Sequence, residues 1–159
     1  MIIKVPKGNF EIVQKKPFNL ITDYLGAGVA IAFYSKAKET YGLLSYIFPY
    51  REFDLQLNDV WLYSGETLLN KVQDELERMS FDWSESKWII AGASVYKANP
   101  AFLDLAERNL KIAESWLKRL NLWDRVIKRV RISAPLALEI KGKEGQFILK
   151  IQNRVENYE

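Results

Sequence analysis

The stretch of residues 25–49 constrains the fold of this 159-residue chain more than any other. It holds two apolar runs, residues 29–34 and 42–48, on either side of a polar bend at 35–40. Runs of this length, rich in β-branched and aromatic residues and bounded by turn-forming residues, are typical of buried neighbouring strands. Gly26 and Gly28 precede the first run, where a tight turn or a close backbone approach favours residues without a Cβ. The stretch therefore predicts a central pair of strands. The glycine turn before the first strand is a candidate part of a functional site.

Shorter segments predict the rest of the sheet structure. Apolar and polar alternation predicts an outer strand at residues 10–14. Four later runs predict further strands, at residues 88–92, 125–132, 136–140 and 146–151. The turn chemistry of residues 141–145 predicts a hairpin between the last two strands. Residues 50–58 mix polar and aromatic types, and we interpret them as a surface loop.

Two segments have the apolar spacing of helices. In residues 57–79 apolar side chains recur three, four and seven positions apart, which predicts a long helix or one whose start is frayed. Gly65 is the alternative start of this helix, with Ser64 as its N-cap. The second helix follows Asn99 and Pro100, which supply an N-cap and a proline at the first helical position.

The order of these elements predicts an α+β protein, an α/β sandwich of mostly antiparallel strands with two main helices. The length predicts a single domain over residues 1–159. At 48% hydrophobic and 27% charged residues, the composition is that of an ordinary globular protein. No window approaches the roughly 18 apolar residues of a membrane span, and the N-terminus lacks a signal sequence. We therefore expect a cytoplasmic protein without membrane insertion.

The chain contains no cysteine and no histidine. Without cysteine there are no disulfides, thiolate metal sites or thiol redox chemistry. Without histidine the commonest metal ligand and the usual base near neutral pH are missing. We therefore expect no metal site and no cofactor, and a serine nucleophile would need a lysine or a carboxylate as its base.

The basic side chains are concentrated in residues 118–131, where six Lys and Arg residues face a single Asp. Arg125, Arg129 and Arg131 alternate with apolar residues, so they share one face of a predicted strand. We interpret this face as a solvated surface, and a surface for an anionic partner is the alternative. Nucleic acid is disfavoured as a partner because no recognition-helix, RNP or zinc-finger pattern accompanies the charge.

Four short motifs, in order over residues 12–150, resemble the CheD chemoreceptor glutamine deamidases of bacterial and archaeal chemotaxis. Residues 22–34, TDYLGAGVAIAFY, are similar to the family pattern T-x-x-L-G-S-C-V-x-V-x-x-Y. Residues 41–49, YGLLSYIFP, are similar to G-G-x-x-H-x-x-L-P. Residues 91–96, AGASVY, are similar to G-G-A-S-x-F, and residues 105–109, LAERN, to I-G-x-R-N. The resemblance implies the same kind of α/β sandwich over nearly the whole chain.

The departures from the family concern its catalytic triad of Cys, His and Thr. The resemblance places the nucleophilic Cys on Gly28, the His on Ser45 and the Thr on Thr22. Gly28 has no side chain to attack a carboxamide, and Ser45 cannot act as a base near neutral pH. The resemblance therefore implies the fold and argues against the activity.

Other positions of the family motifs are candidates for a retained pocket or a partner-binding surface, together with one residue of the basic strand: Gly26, Ala27, Gly92, Ala93, Ser94 and Arg129. In the helix motif, the resemblance implies structural roles for Arg108 and Asn109. We expect Arg108 to bond loop carbonyls and Asn109 to cap or bridge to the sheet.

Three functions follow from these observations. We favour a catalytically inactive CheD-like protein with a protein-binding or regulatory role, whose partner is a chemoreceptor helix or a CheC-type phosphatase. One alternative is a small-molecule or anion-binding domain that uses the basic strand and a pocket at the positions that match the family's active site. The other is an amidohydrolase or deamidase with relocated chemistry at Thr22, Ser45 or a carboxylate. The sequence leaves open the oligomeric state and whether Tyr24 or Tyr46 fills the pocket.

Overall fold

Two five-stranded sheets face each other in the computed structural model, which describes residues 1–95, 99–152 and 154–159. The strands are β1 Ile2–Val5, β2 Asn9–Gln14, β3 Asn19–Thr22, β4 Val29–Ser35, β5 Thr40–Tyr46, β6 Leu55–Leu57, β7 Val60–Leu62, β8 Ser86–Gly92, β9 Ile127–Val130, β10 Leu136–Lys141, β11 Gln146–Ile151 and β12 Arg154–Tyr158. The helices are α1 Gly65–Arg78 and α2 Pro100–Arg119, and a 3₁₀ turn covers Arg51–Phe53. This architecture confirms the predicted α+β sandwich.

The pairing within the sheets is mostly antiparallel, as predicted. The first sheet has the order β1-β3-β10-β11-β12, and only β1 and β3 are parallel. The second has the order β2-β5-β4-β8-β9, and only β8 and β9 are parallel. The short strands β6 and β7 form a separate two-stranded hairpin. The hairpin predicted at residues 141–145 joins β10 to β11.

Strand β4 lies at the centre of the molecule and is buried on both faces. Ile31 and Phe33 belong to the core beneath the helices, whereas Ala30 and Ala32 belong to the core between the two sheets. A strand covered on both sides needs apolar residues at successive positions, which explains the unbroken run in the sequence. The small alanines face the opposite sheet, and the larger residues face the helices.

Both helices begin at the caps that the sequence predicts. The hydroxyl of Ser64 accepts a hydrogen bond from the backbone N–H of Thr67 at 3.3 Å, so α1 begins at Gly65 and not at residue 57. The Asn99 carboxamide oxygen accepts from the N–H of Ala101 at 2.9 Å, with Pro100 in the first turn of α2. In the described part of the chain, no helix combines the length and apolar character of a membrane span.

Several sequence expectations need correction. Residues 50–58 are not a plain loop, because they contain the 3₁₀ turn and strand β6. The apolar spacing of residues 55–62 fits a helix and a hairpin alike, and such short segments are ambiguous by periodicity alone. Strand β9 is shorter than the predicted 125–132, because Arg131 adopts a φ of 58° and leaves the extended conformation. Strands β1, β3 and β12 were not predicted.

Candidate functional site

The three positions that match the family triad are buried. Thr22 ends β3, Gly28 immediately precedes β4, and Ser45 is the penultimate residue of β5. Thr22 is 2% exposed and Ser45 is fully buried. The hydroxyl of Thr22 accepts a hydrogen bond from the backbone N–H of Leu138 at 3.0 Å, so it extends the pairing between β3 and β10. Thr22 therefore has a structural role in the sheet.

Gly28 lies where the backbone of β5 approaches closely. A Cβ at this position would lie 2.7 Å from the carbonyl oxygen of Tyr46 and 3.1 Å from Cγ2 of Ile47. The first of these atoms belongs to the backbone and cannot swing away. A cysteine side chain at position 28 therefore does not fit without a shift of the strand end.

The hydroxyl of Ser45 makes no hydrogen bond to any described residue. Ser45 lies opposite Ala30 of β4, and both point into the core between the sheets because Leu43, two positions before Ser45, belongs to that core. A nucleophilic serine needs a neighbouring base and access to its substrate. Ser45 is fully buried, and no residue in the described part of the chain forms a hydrogen bond with it that could serve as a base.

The glycine turn and the turn after β8 are joined by backbone hydrogen bonds. The N–H of Ala93 donates to the carbonyl of Gly28 at 2.8 Å, and that of Ser94 to the carbonyl of Gly26 at 2.9 Å. Gly92 has a φ of 112°, and a Cβ there would overlap the carbonyl oxygen of Gly28. The hydroxyl of Ser94 donates to the carbonyl of Ala134 at 2.8 Å. The structure thus brings five of the candidate pocket residues together as a packed joint; Tyr96 of the same motif lies outside the described residues.

Asn109 of α2 ties the helix to this joint. Its carboxamide nitrogen donates to the carbonyls of Ala27 at 3.0 Å and Ile47 at 3.1 Å. The phenol of Tyr46 donates to the carbonyl of Asn109 at 2.7 Å, and burial raises the pKa of this tyrosine far above its ordinary value. The expected bridge from Asn109 to the sheet is confirmed. Tyr46 is fully buried here, whereas Tyr24 is half exposed.

Among the described residues Arg108 bonds no loop carbonyl, and the expectation is wrong to that extent. Its guanidinium donates to the Asp104 carboxylate at 2.8 Å and to the phenol oxygen of Tyr50 at 2.9 Å. The side chain lies on the exposed face of α2, one turn after Asp104, where the i,i+4 spacing brings the carboxylate within hydrogen-bond distance.

The arginines of the basic strand are engaged within the molecule. Arg129 makes a bidentate pair with Glu156 of β12, with both distances 2.8 Å, and its hydrogen bonds hold the pKa of Glu156 below the ordinary value. Arg131 makes a second bidentate pair with Glu107, at 2.7 and 3.0 Å. Arg125 donates to the backbone carbonyls of Trp83, Ser84 and Ser86. Carboxylates therefore offset the charges of Arg129 and Arg131, whereas Arg125 keeps its charge and has its N–H groups engaged by backbone carbonyls.

The sequence analysis missed an exposed apolar surface beside α1 and α2, which we call the docking surface. Its first part is a groove of about 490 Å³ between the 3₁₀ turn and the first turns of α2, lined by Phe48, Pro49, Tyr50, Glu52, Phe53, Ala101, Asp104, Leu105 and Arg108. Its second part is one face of the β6–β7 hairpin, where Leu55, Leu57 and Val60 are 45%, 57% and 60% exposed. In the sequence, this hairpin is indicated by the alternating segments LQL and VWL on either side of the turn residues Asn58 and Asp59.

The hairpin of the docking surface is anchored at its base. The carboxylate of Asp54 accepts hydrogen bonds from the N–H of Ser64 at 2.7 Å and from the hydroxyl of Thr67 at 2.6 Å. Partial burial opposes ionisation of Asp54, but these hydrogen bonds outweigh it and lower its pKa. On the other strand, the N–H of Tyr63 donates to the carbonyl of Gly8 at 3.0 Å. The exposed apolar residues therefore lie on a hairpin whose base is fixed by hydrogen bonds.

Comparison of the chain with models of known protein families and with curated proteins gives no match. Within the described residues, no three acidic side chains are grouped so that they could hold a metal ion.

Proposed function

We propose that this chain is a non-catalytic, CheD-like protein that acts by binding another protein through its docking surface. The observation that carries the proposal is the exposure of Leu55, Leu57 and Val60 on a hairpin anchored by Asp54, and of Phe53 in the 3₁₀ turn that precedes it. Contiguous exposed apolar side chains of this kind mark interaction sites in soluble proteins. Because the hairpin is already ordered before a partner binds, less conformational entropy is lost on binding.

The state of the triad positions supports a non-catalytic role. The family chemistry needs a thiolate and a base, and this chain contains neither cysteine nor histidine. The close approach of the Tyr46 carbonyl to Gly28 and the full burial of Ser45 disfavour entry of a glutamine side chain between the described residues at these positions. The relocated-chemistry alternative gains no support from Thr22, because its hydroxyl is used by Leu138.

The resemblance to CheD makes chemotaxis the pathway to test first. A chemoreceptor helix and a CheC-type phosphatase are the partners that follow from it. The anion-binding alternative is less well supported, because Arg129 and Arg131 are each paired with a carboxylate.

The proposal is tested by affinity capture from the native host with two matched variants. Val60 on β7 and Val155 on β12 are 60% and 57% exposed, so replacement of either by serine removes a similar apolar area. We expect a partner that is retained by the wild type and by Val155→Ser and lost with Val60→Ser. In parallel, glutamine-containing receptor fragments are incubated with the wild type, and no ammonia release is expected.

Two results would contradict the proposal. One is a set of captured proteins that is identical for both valine variants, since binding would then not involve the docking surface. The other is ammonia release by the wild-type protein, which would make it an enzyme.

A further inference from the structure

We infer that the docking surface binds an amphipathic helix whose apolar stripe is flanked by lysine and arginine side chains. This inference rests on the proposed binding function and specifies the chemistry of the partner. It depends on the shape of the groove and on the charges around it.

The floor of the groove is aromatic. The ring of Phe53 lies 5.8 Å from that of Phe48 and 6.3 Å from that of Tyr50, measured between centroids. Leu105 of α2 lines the same groove. Asp54 alone separates Phe53 from β6, and the exposed Leu55, Leu57 and Val60 of the hairpin supply the second apolar part of the docking surface. A helix about 10 Å in diameter can place successive apolar side chains along such a surface.

A bound helix accounts for this surface better than an added strand does. Strands β6 and β7 have three residues each, so their edges offer few backbone hydrogen bonds to an extended peptide. The groove is lined mainly by side chains of the 3₁₀ turn and of α2. Side-chain recognition at three- and four-residue spacing is the mode in which a helix binds.

The charges beside the apolar surface are acidic. Residues 50–66 contain four carboxylates and one arginine, in a chain whose net charge is +3. In the groove wall, Asp104 is neutralised by Arg108. Glu52 at the groove and Asp59 at the hairpin turn are exposed, and no ion pair within the described ranges engages either. These two carboxylates complement lysine or arginine on a partner.

The same charges disfavour other occupants. A second copy of the chain would bring the Glu52 and Asp59 carboxylates of both copies into one interface, where like charges repel. An anionic membrane surface would be repelled for the same reason.

Two synthetic peptides of about 18 residues, or five helical turns, test the inference. They share one leucine stripe; lysines flank it in the first peptide and glutamates in the second. Binding to the purified full-length protein is followed by fluorescence anisotropy at low and high salt. We expect the lysine peptide to bind about tenfold more tightly, a difference of about 1.4 kcal/mol, and its affinity to fall as salt rises.

Charge-reversal variants locate the effect. Glu52→Lys and Asp59→Lys should each weaken binding of the lysine peptide and strengthen that of the glutamate peptide. Glu144→Lys is the matched control, because Glu144 is an exposed carboxylate in the turn between β10 and β11. It changes the net charge equally and should leave both affinities close to those of the wild type.

Several outcomes would overturn the inference. They are failure of both peptides to bind, equal affinity for the two, an effect of Glu144→Lys equal to that of Glu52→Lys, and a dimer that Val60→Ser abolishes in sedimentation experiments. Failure of both peptides, with a captured partner still lost in Val60→Ser, would reject the basic helix and retain the proposed function. If Val60→Ser and Val155→Ser capture the same proteins, the proposed function itself is rejected.

Discussion

The Thr22 hydroxyl and the Leu138 backbone N–H are joined by a 3.0 Å hydrogen bond at the point where the regular pairing of β3 with β10 ends. In an unbroken ladder the N–H of Leu138 would find a backbone acceptor, and here a side chain replaces it. Of the three positions that the resemblance matches to the CheD triad, Thr22 has the residue type of that family. Its presence is accounted for by sheet pairing without any appeal to catalysis.

Replacement of Thr22 by valine should therefore destabilise the protein. Valine has nearly the same shape but no acceptor, so the buried N–H of Leu138 would lose its partner at a cost of about 1–3 kcal/mol. Urea unfolding followed by tryptophan fluorescence measures the difference. Thr22→Ser keeps the hydroxyl and is the control, with a smaller loss expected. Equal losses for valine and serine would show that the hydrogen bond is not the cause.

Ser45→Ala should behave in the opposite way. The Ser45 hydroxyl is buried and has no hydrogen-bond partner among the residues that the structure describes, so its removal relieves a desolvation cost and leaves only a small change in packing. We expect an unfolding free energy within about 0.5 kcal/mol of the wild type, or slightly above it. A loss greater than about 1 kcal/mol would indicate that the hydroxyl holds a buried water molecule.

Asn109→Asp should be strongly destabilising at neutral pH. Aspartate has the shape of asparagine, but its carboxylate cannot donate to the carbonyls of Ala27 and Ile47, and it would face both of these acceptors in a buried site. We expect a loss of about 3–5 kcal/mol at pH 7. Burial raises the pKa of the new carboxyl, so the loss should shrink as the pH falls and the group is protonated. A loss that does not depend on pH would contradict this explanation.

Much of the fold follows from the sequence, because its strongest signals come from elements with one clear environment. The two apolar runs around residues 35–40 predict β4 and β5, since both strands are buried on both faces. The caps at Ser64 and Asn99 fix the helix starts by local chemistry alone. In contrast, β1 and β12 are edge strands with exposed residues such as Ile2 and Val155, so their sequences carry little alternation.

The candidate site could be predicted only in part. Motif matching identified the residues of the joint around Gly28, but the sequence does not show how closely the carbonyl of Tyr46 approaches. Arg129 of β9 and Arg131 just after it were visible as a charge pattern, yet their partners Glu156 and Glu107 lie in distant parts of the chain. The docking surface depends on the hairpin, whose short strands fit a helical period equally well.

The pair between Arg129 and Glu156 should make stability depend on pH. Hydrogen bonds from Arg129 and Tyr158 hold the pKa of Glu156 below its ordinary value of 4.5. A carboxyl group whose pKa is lower in the folded than in the unfolded state stabilises the folded state at pH values above its unfolded pKa. This contribution to stability is lost as the pH falls through the folded pKa. Glu156→Gln should therefore cost about 1 kcal/mol at pH 7 and less below about pH 4.

Glu107→Gln is the matched comparison for this prediction. It removes the same bidentate geometry with Arg131, but the side chains of that pair are 54% and 44% exposed against 32% and 21% for Arg129 and Glu156. Solvent screens the more exposed pair, so we expect the smaller loss there. Urea unfolding of both variants at pH 3 to 7 measures the difference. A cost of Glu156→Gln that is constant over this range would contradict the assignment.

Introduction of the Cys and His of the CheD pattern at positions 28 and 45 should not produce deamidation. In Gly28→Cys the new Cβ would lie 2.7 Å from the Tyr46 carbonyl oxygen, which belongs to a strand fixed on both sides by β2 and β4. The strand end must move to accept it, and we expect a loss of about 1–3 kcal/mol, as for overpacked cores. Ser45→His would place a larger, ionisable side chain in the packed core between the sheets. The double variant, assayed for ammonia release from a glutamine-containing receptor fragment after its folding is verified by circular dichroism, should be inactive, whereas release above the level of the wild type would show that the joint around Gly28 opens to substrate.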